Sequence, residues 1–146
     1  MVLADEKDTV ALAQRFARQL QHGMVVYLHG DLGAGKTTLV RGVLNALGYG
    51  ARVKSPTYAL VESYRIAGLD LRHFDLYRMH SEEEWESAGF REEFDGRNIL
   101  FIEWPEKAQG LIPSADVEFD FRILAQGREV AIRANSKMGK QCLERL

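Results

Sequence analysis

The stretch 30-GDLGAGKTTLVRG-42 constrains this chain more than any other. It places three glycines, one lysine and two threonines within residues 30–38. Gly30, four further residues and then Gly35-Lys36-Thr37 match the pattern G-x-x-x-x-G-K-[ST]. An unbroken apolar run, MVVYLH (24–29), precedes it and suits a strand buried on both faces. Leu39, Val40, Val43, Leu44 and Leu47 follow at helical spacing, and Gly48 stops the pattern. Strand, glycine loop and helix in that order predict an α/β unit.

The chemistry of the loop accounts for each residue type. A phosphate chain must lie against several backbone N–H groups at once, and glycines let the chain wrap closely at positive φ. Leu32, Gly33, Ala34 and Gly35 supply that backbone. The helix starting at Lys36 turns its positive end toward the same phosphates. In such a loop Lys36 reaches the β- and γ-phosphates, Thr37 offers its hydroxyl to Mg²⁺ and Thr38 donates to the α-phosphate. The expected ligands are therefore a nucleoside triphosphate and Mg²⁺.

The rest of the chain predicts a P-loop NTPase-like mixed sheet with parallel central strands, flanking helices and an antiparallel C-terminal hairpin. Leu12, Ala13, Phe16, Ala17 and Leu20 mark a helix over about Asp8 to Leu20, with Asp8 or Thr9 as cap and Gly23 as its end. YALVESYRI (58–66) and LRHFDLY (71–77) read as strands joined by a turn at AGLD. Ser81 with Glu84 makes a capping box for a short helix through Trp85. NILFIEW (98–104) is a second buried strand, ended by Pro105. Val117, Phe119, Phe121 and Ile123 alternate with polar residues, and VAIRA returns after AQGRE as a hairpin half exposed to water. The tail from Ser136 reads as a short or frayed helix. The 146 residues favour a single domain, and 46% apolar composition is enough for a core.

Charge and cysteine content exclude several classes. Nineteen basic residues against 21 acidic give a net charge of −2, which is no general footprint for DNA or RNA. One cysteine, Cys142, closes no disulfide within the chain, and no Cys/His cluster has zinc spacing. The N-terminus MVLADEKDT lacks the basic and apolar regions of a secretory signal, and no run is long enough to span a membrane. These features predict a cytoplasmic protein.

A metal-linked acid is expected at the end of a neighbouring strand. Glu103, after NILFI, and Asp75, after LRHF, are the two candidates; a carboxylate paired with a nearby arginine is the bland alternative for each. His73, His22 and His29 read as structural, and Trp104 as core or as a base-stacking ring. Neither N-K-x-D nor D-x-x-G nor L-S-G-G-Q is present, which removes base-specific GTPases and transport ATPases. A kinase for a small metabolite and a nucleotide-dependent binding module remain open on the residues alone.

GDLGAGKTT, KSPTY, HFDLYR and IEWPE, in this order and spacing, resemble the bacterial TsaE (YjeE-type) ATPases, over roughly Asp5 to Arg133. The resemblance implies that Lys36 and Thr37 act as P-loop lysine and metal ligand, with Glu103 as the metal-linked acid. It makes Thr57 the first switch element and Asp75 the second, both catalytic, and adds Trp104 to the Glu103 motif. It puts Glu6, Thr9 and Arg128 close to base and ribose. It further implies a weak ATPase that works with TsaB and TsaD in making threonylcarbamoyladenosine on tRNA, touching tRNA only through that complex.

Overall fold

The computed structural model of the chain describes residues 1–54, 56 and 59–146. Seven strands form one sheet: β1 (Val2–Leu3), β2 (Val25–His29), β3 (Val61–Ile66), β4 (Leu69–Asp75), β5 (Ile99–Glu103), β6 (Val117–Ile123) and β7 (Arg128–Ala134). Their spatial order is β1-β7-β6-β2-β5-β4-β3. The four central strands, β6, β2, β5 and β4, are parallel. Antiparallel pairs close both sides, β6–β7–β1 at one edge and β4–β3 at the other. The mixed sheet expected from the sequence is therefore present, with a second hairpin opposite the C-terminal one. Ala67 and Gly68, both at positive φ, form the two-residue turn of that second hairpin.

Burial on both faces explains the unbroken apolar runs. Val26 and Leu28 of β2 and Phe101 of β5 join one cluster with α1 (Glu6–Ala17) and α2 (Lys36–Ala46). Val25 of β2 and Leu100 and Ile102 of β5 join a second cluster with Trp85 of α3 (Glu82–Ala88) and with Phe90. The C-terminal hairpin instead alternates, with Val117, Phe119 and Phe121 buried and Arg122 exposed. α4 (Lys137–Glu144) follows it, with Cys142 buried.

The helix boundaries correct the sequence expectation at α1. The cap is Asp5, not Asp8 or Thr9: its carboxylate accepts from the Asp8 N–H at 3.2 Å, and Asp8 in turn accepts from the Ala4 N–H at 2.8 Å. The helix ends at Ala17 rather than Leu20, and Gly23 belongs to the turn that enters β2. At α3, Ser81 accepts from the Glu84 N–H, while the Glu84 carboxylate reaches the His80 N–H rather than that of Ser81.

α1 and α2 cross at Gly42. A Cβ there would lie 2.7 Å from the Ala13 Cβ, closer than packed carbons come. Gly42→Ala gains roughly 0.8–1 kcal/mol of helix propensity, but the overpacking costs about 1–3 kcal/mol. The expected result is net destabilisation in chemical unfolding. Combining it with Ala13→Gly should lose less than the sum of the two single losses; strict additivity would show that the helices do not meet there.

Candidate functional site

Parallel strands put their C-terminal ends on one edge of the sheet, where open α/β folds bind ligands. β2 ends at His29 and runs into the glycine loop. Gly30 has φ +140°, and a Cβ there would meet the Phe121 carbonyl at 2.7 Å, so any side chain would push the loop off β6. Gly35 stands at φ 112° as the N-cap of α2, with no side-chain cap to occupy the helix's free N–H groups. Ala34 is buried and donates its N–H to the Asp31 carbonyl, whereas Leu32 is 60% exposed at the loop tip.

Side-chain alternation brings the acids under this loop. Leu71 and Phe101 face α1 and α2, and period 2 places His73 and Asp75 of β4 and Glu103 of β5 on that same face. Asp75 and Glu103 are direct cross-strand partners, as are Glu103 and Leu28. The Thr37 hydroxyl donates to Glu103 Oε2 at 3.0 Å, and His73 Nε2 lies 2.6 Å from the same oxygen. Lys36 Nζ donates to the Gly30 carbonyl at 2.5 Å and sits 4.0 Å from the centroid of the Trp104 ring. Trp104 stands at φ 58°, packs against Tyr77 and lies partly buried against the second core cluster.

Two cavities flank the loop. One, of about 300 Å³, is lined by Lys36, Thr37, Asp75, Tyr77, Arg78 and Glu103. The other, of about 290 Å³, is lined by Glu6, Thr9, Thr38, Gly127 and Arg128 together with the β1 end. Gly33 and Gly35 border both, and Arg128 donates to the Gly33 carbonyl at 3.1 Å. The structure thus gathers Lys36, Thr37, Asp75 and Glu103 at one end of the loop, with the Trp104 ring beside Lys36, and Glu6, Thr9 and Arg128 at the other, while Thr38 lines both cavities. Thr57 lies outside the described residues.

Burial sets the electrostatics. It pushes the Lys36 ammonium below its ordinary range, against the opposing pull of Glu103, Asp75, Glu106 and Asp31. It pushes the Asp75 carboxyl up, helped by the neighbouring Glu103 charge and opposed by the Tyr77 N–H that Asp75 accepts. The donor set is hard oxygen, a hydroxyl and a carboxylate already within one hydrogen bond of each other. That fits Mg²⁺, which takes one or two carboxylates and completes its shell with water and phosphate. No group of three or more His, Cys, Asp or Glu side chains that could hold a metal occurs among the described residues, so a cage made of protein alone is not the fit.

Comparison with known proteins shows the family and supports the fold. The family model described as "Threonylcarbamoyl adenosine biosynthesis protein TsaE" matches residues 3–130. The chain belongs to the TsaE family. It is 42% identical to the tRNA threonylcarbamoyladenosine biosynthesis protein TsaE of Haemophilus influenzae, across 97% of this chain and 92% of that one. The TsaE protein of Treponema pallidum is 36% identical across 86% of this chain and 93% of its own length. The fold resembles the crystal structure of Bacillus subtilis YdiB with a TM-score of 0.79 and 28% identity, covering 96% of this chain and 87% of that one. Among the described residues no helix is long and apolar enough to cross a membrane.

The raised Asp75 pKa carries a sign that can be checked. A folded state that holds this proton more tightly than the unfolded chain loses stability as pH rises through and above the ordinary carboxylate range of about 4. Asp75→Asn removes that loss. In chelator and without nucleotide, its thermal midpoint should exceed the parent's at pH 7, with the gap closing toward pH 4. A gap that widens on acidification would reverse the sign.

Proposed function

We propose that this chain is the Mg²⁺-dependent ATP-binding and ATP-hydrolysing subunit of the machinery that installs the threonylcarbamoyl group on adenosine in tRNA, acting in the cytoplasm with TsaB and TsaD. The observation that carries the proposal is the meeting of Thr37 and Glu103 beside Lys36 at the start of a helix whose N-cap, Gly35, has no side chain to bond its first N–H groups. Membership of the TsaE family supplies the pathway.

In this reading the nucleoside occupies the cavity beside Glu6, Thr9 and Arg128, and the triphosphate crosses the glycine loop to the cavity of Lys36 and Asp75. Lys36 leaves the Gly30 carbonyl and the Trp104 ring for the β- and γ-phosphates. Thr38 donates to the α-phosphate. Thr37 and Glu103 would hold Mg²⁺, which when bound would supply positive charge to the phosphate chain. Water displaces the β–γ anhydride oxygen from the γ-phosphorus, giving ADP and phosphate; Asp75 is the second carboxylate available to that water. The family resemblance adds Thr57, in its first switch element, as a further catalytic residue. The chain's net charge of −2 suits a subunit that leaves the grip on tRNA to its partners, and its turnover would reset the transferase between cycles.

Lys36→Ala and Glu103→Ala should each lower ATP turnover by about 10²–10³-fold, the scale of a lost charge-stabilising contact. As the sole cellular copy, either variant should abolish the tRNA modification while the protein stays folded by circular dichroism. Normal modified-tRNA levels with Lys36→Ala would contradict the proposal.

A further inference from the structure

His73 does not line either cavity of the nucleotide site, and its ring is fully buried in β4. Its Nε2 lies 2.6 Å from Glu103 Oε2, the same oxygen that accepts from the Thr37 hydroxyl. A carboxylate oxygen only accepts, so Nε2 carries the hydrogen. Nδ1 is buried with no hydrogen-bond partner among the described residues. The ring therefore makes one polar contact, and that contact is to the site acid.

We infer that His73 is a positioning residue that holds the Glu103 carboxylate in the orientation needed for the divalent cation; the inference rests on the metal site proposed above. A buried imidazole with one orphaned nitrogen is a poor core residue, because an apolar side chain would fill the same space without desolvating a polar atom. What the ring provides instead is direction. A glutamate has three torsions, and Glu103 stands at the last position of its strand, where among the described residues its carboxylate hydrogen-bonds to Thr37 and His73. When Thr37 turns its hydroxyl to a cation, His73 is the partner that stays, because the parallel pairing of β4 with β5 fixes the ring beside Glu103. Partners of metal ligands typically change metal affinity by about 10–100-fold when removed.

The test separates cation binding from nucleotide binding. ADP affinity is measured in EDTA and across a Mg²⁺ titration for the parent, His73→Leu, His73→Gln and His73→Asn. His73→Leu should keep its affinity for ADP in EDTA and lose about tenfold or more in the Mg²⁺ concentration needed for half-effect. The Gln amide nitrogen can stand near the position of Nε2 and should restore that concentration; the shorter Asn should not. If His73→Leu fails to fold, the Gln–Asn pair decides: retention in Gln with loss in Asn supports the inference, and equal behaviour of the two overturns it. Unchanged Mg²⁺ dependence in a folded His73→Leu also overturns it. ADP binding by the parent that ignores Mg²⁺ overturns the metal site itself, and this inference with it.

Discussion

Glu103 Oε2 accepts from Thr37 on the helix and stands against His73 on the next strand. This shared oxygen is where the glycine loop, the helix after it and the parallel core become one object. The residue is 3% exposed, and a carboxylate so deep in a sheet is tolerated only because donors surround it. Everything else serves to bring those donors there. Gly30 lets the loop lie flat on β6, Gly42 lets α1 seat against α2, and the β2–β5–β4 register sets Glu103 beside both Leu28 and Asp75. Lys36 is desolvated and turned back on its own loop, and Asp75 is crowded by a like charge.

The loop also divides the site in two. The Lys36 side is built from the parallel core and carries Asp75 and Glu103. The other side is built from the sheet's far edge: β1, the start of α1 and Arg128 at the head of β7. Because β1 pairs only with β7, the N-terminal residues reach the site through the C-terminal hairpin. Arg128 joins the halves by its bond to Gly33.

Much of this was legible in the sequence. The glycine motif and the runs MVVYLH and NILFI specified a parallel core with Lys36, Thr37 and Glu103 at its edge, because those signals are local and strong. The start of α1 was misread although Asp5 and Asp8 carry the spacing of a reciprocal cap; the apolar stripe begins later and drew the boundary with it. Val2–Leu3 is too short to show a period and becomes a strand only through β7. His73 read as structural, and its contact with Glu103 depends on the register of two strands thirty residues apart, which no spacing along the chain encodes. Trp104 read as core or as a base-stacking ring; it does pack against the second core cluster, but apolar character says nothing of the left-handed backbone at which its ring also meets Lys36.

The most direct measurement is steady-state ATP hydrolysis by the purified chain with Mg²⁺, with and without the TsaB–TsaD pair. Weak turnover that the pair raises strongly, and that Glu103→Ala removes, is the expected result. No binding to the pair and no stimulation by it would contradict the proposed role and leave a nucleotide-binding protein whose energy is used elsewhere.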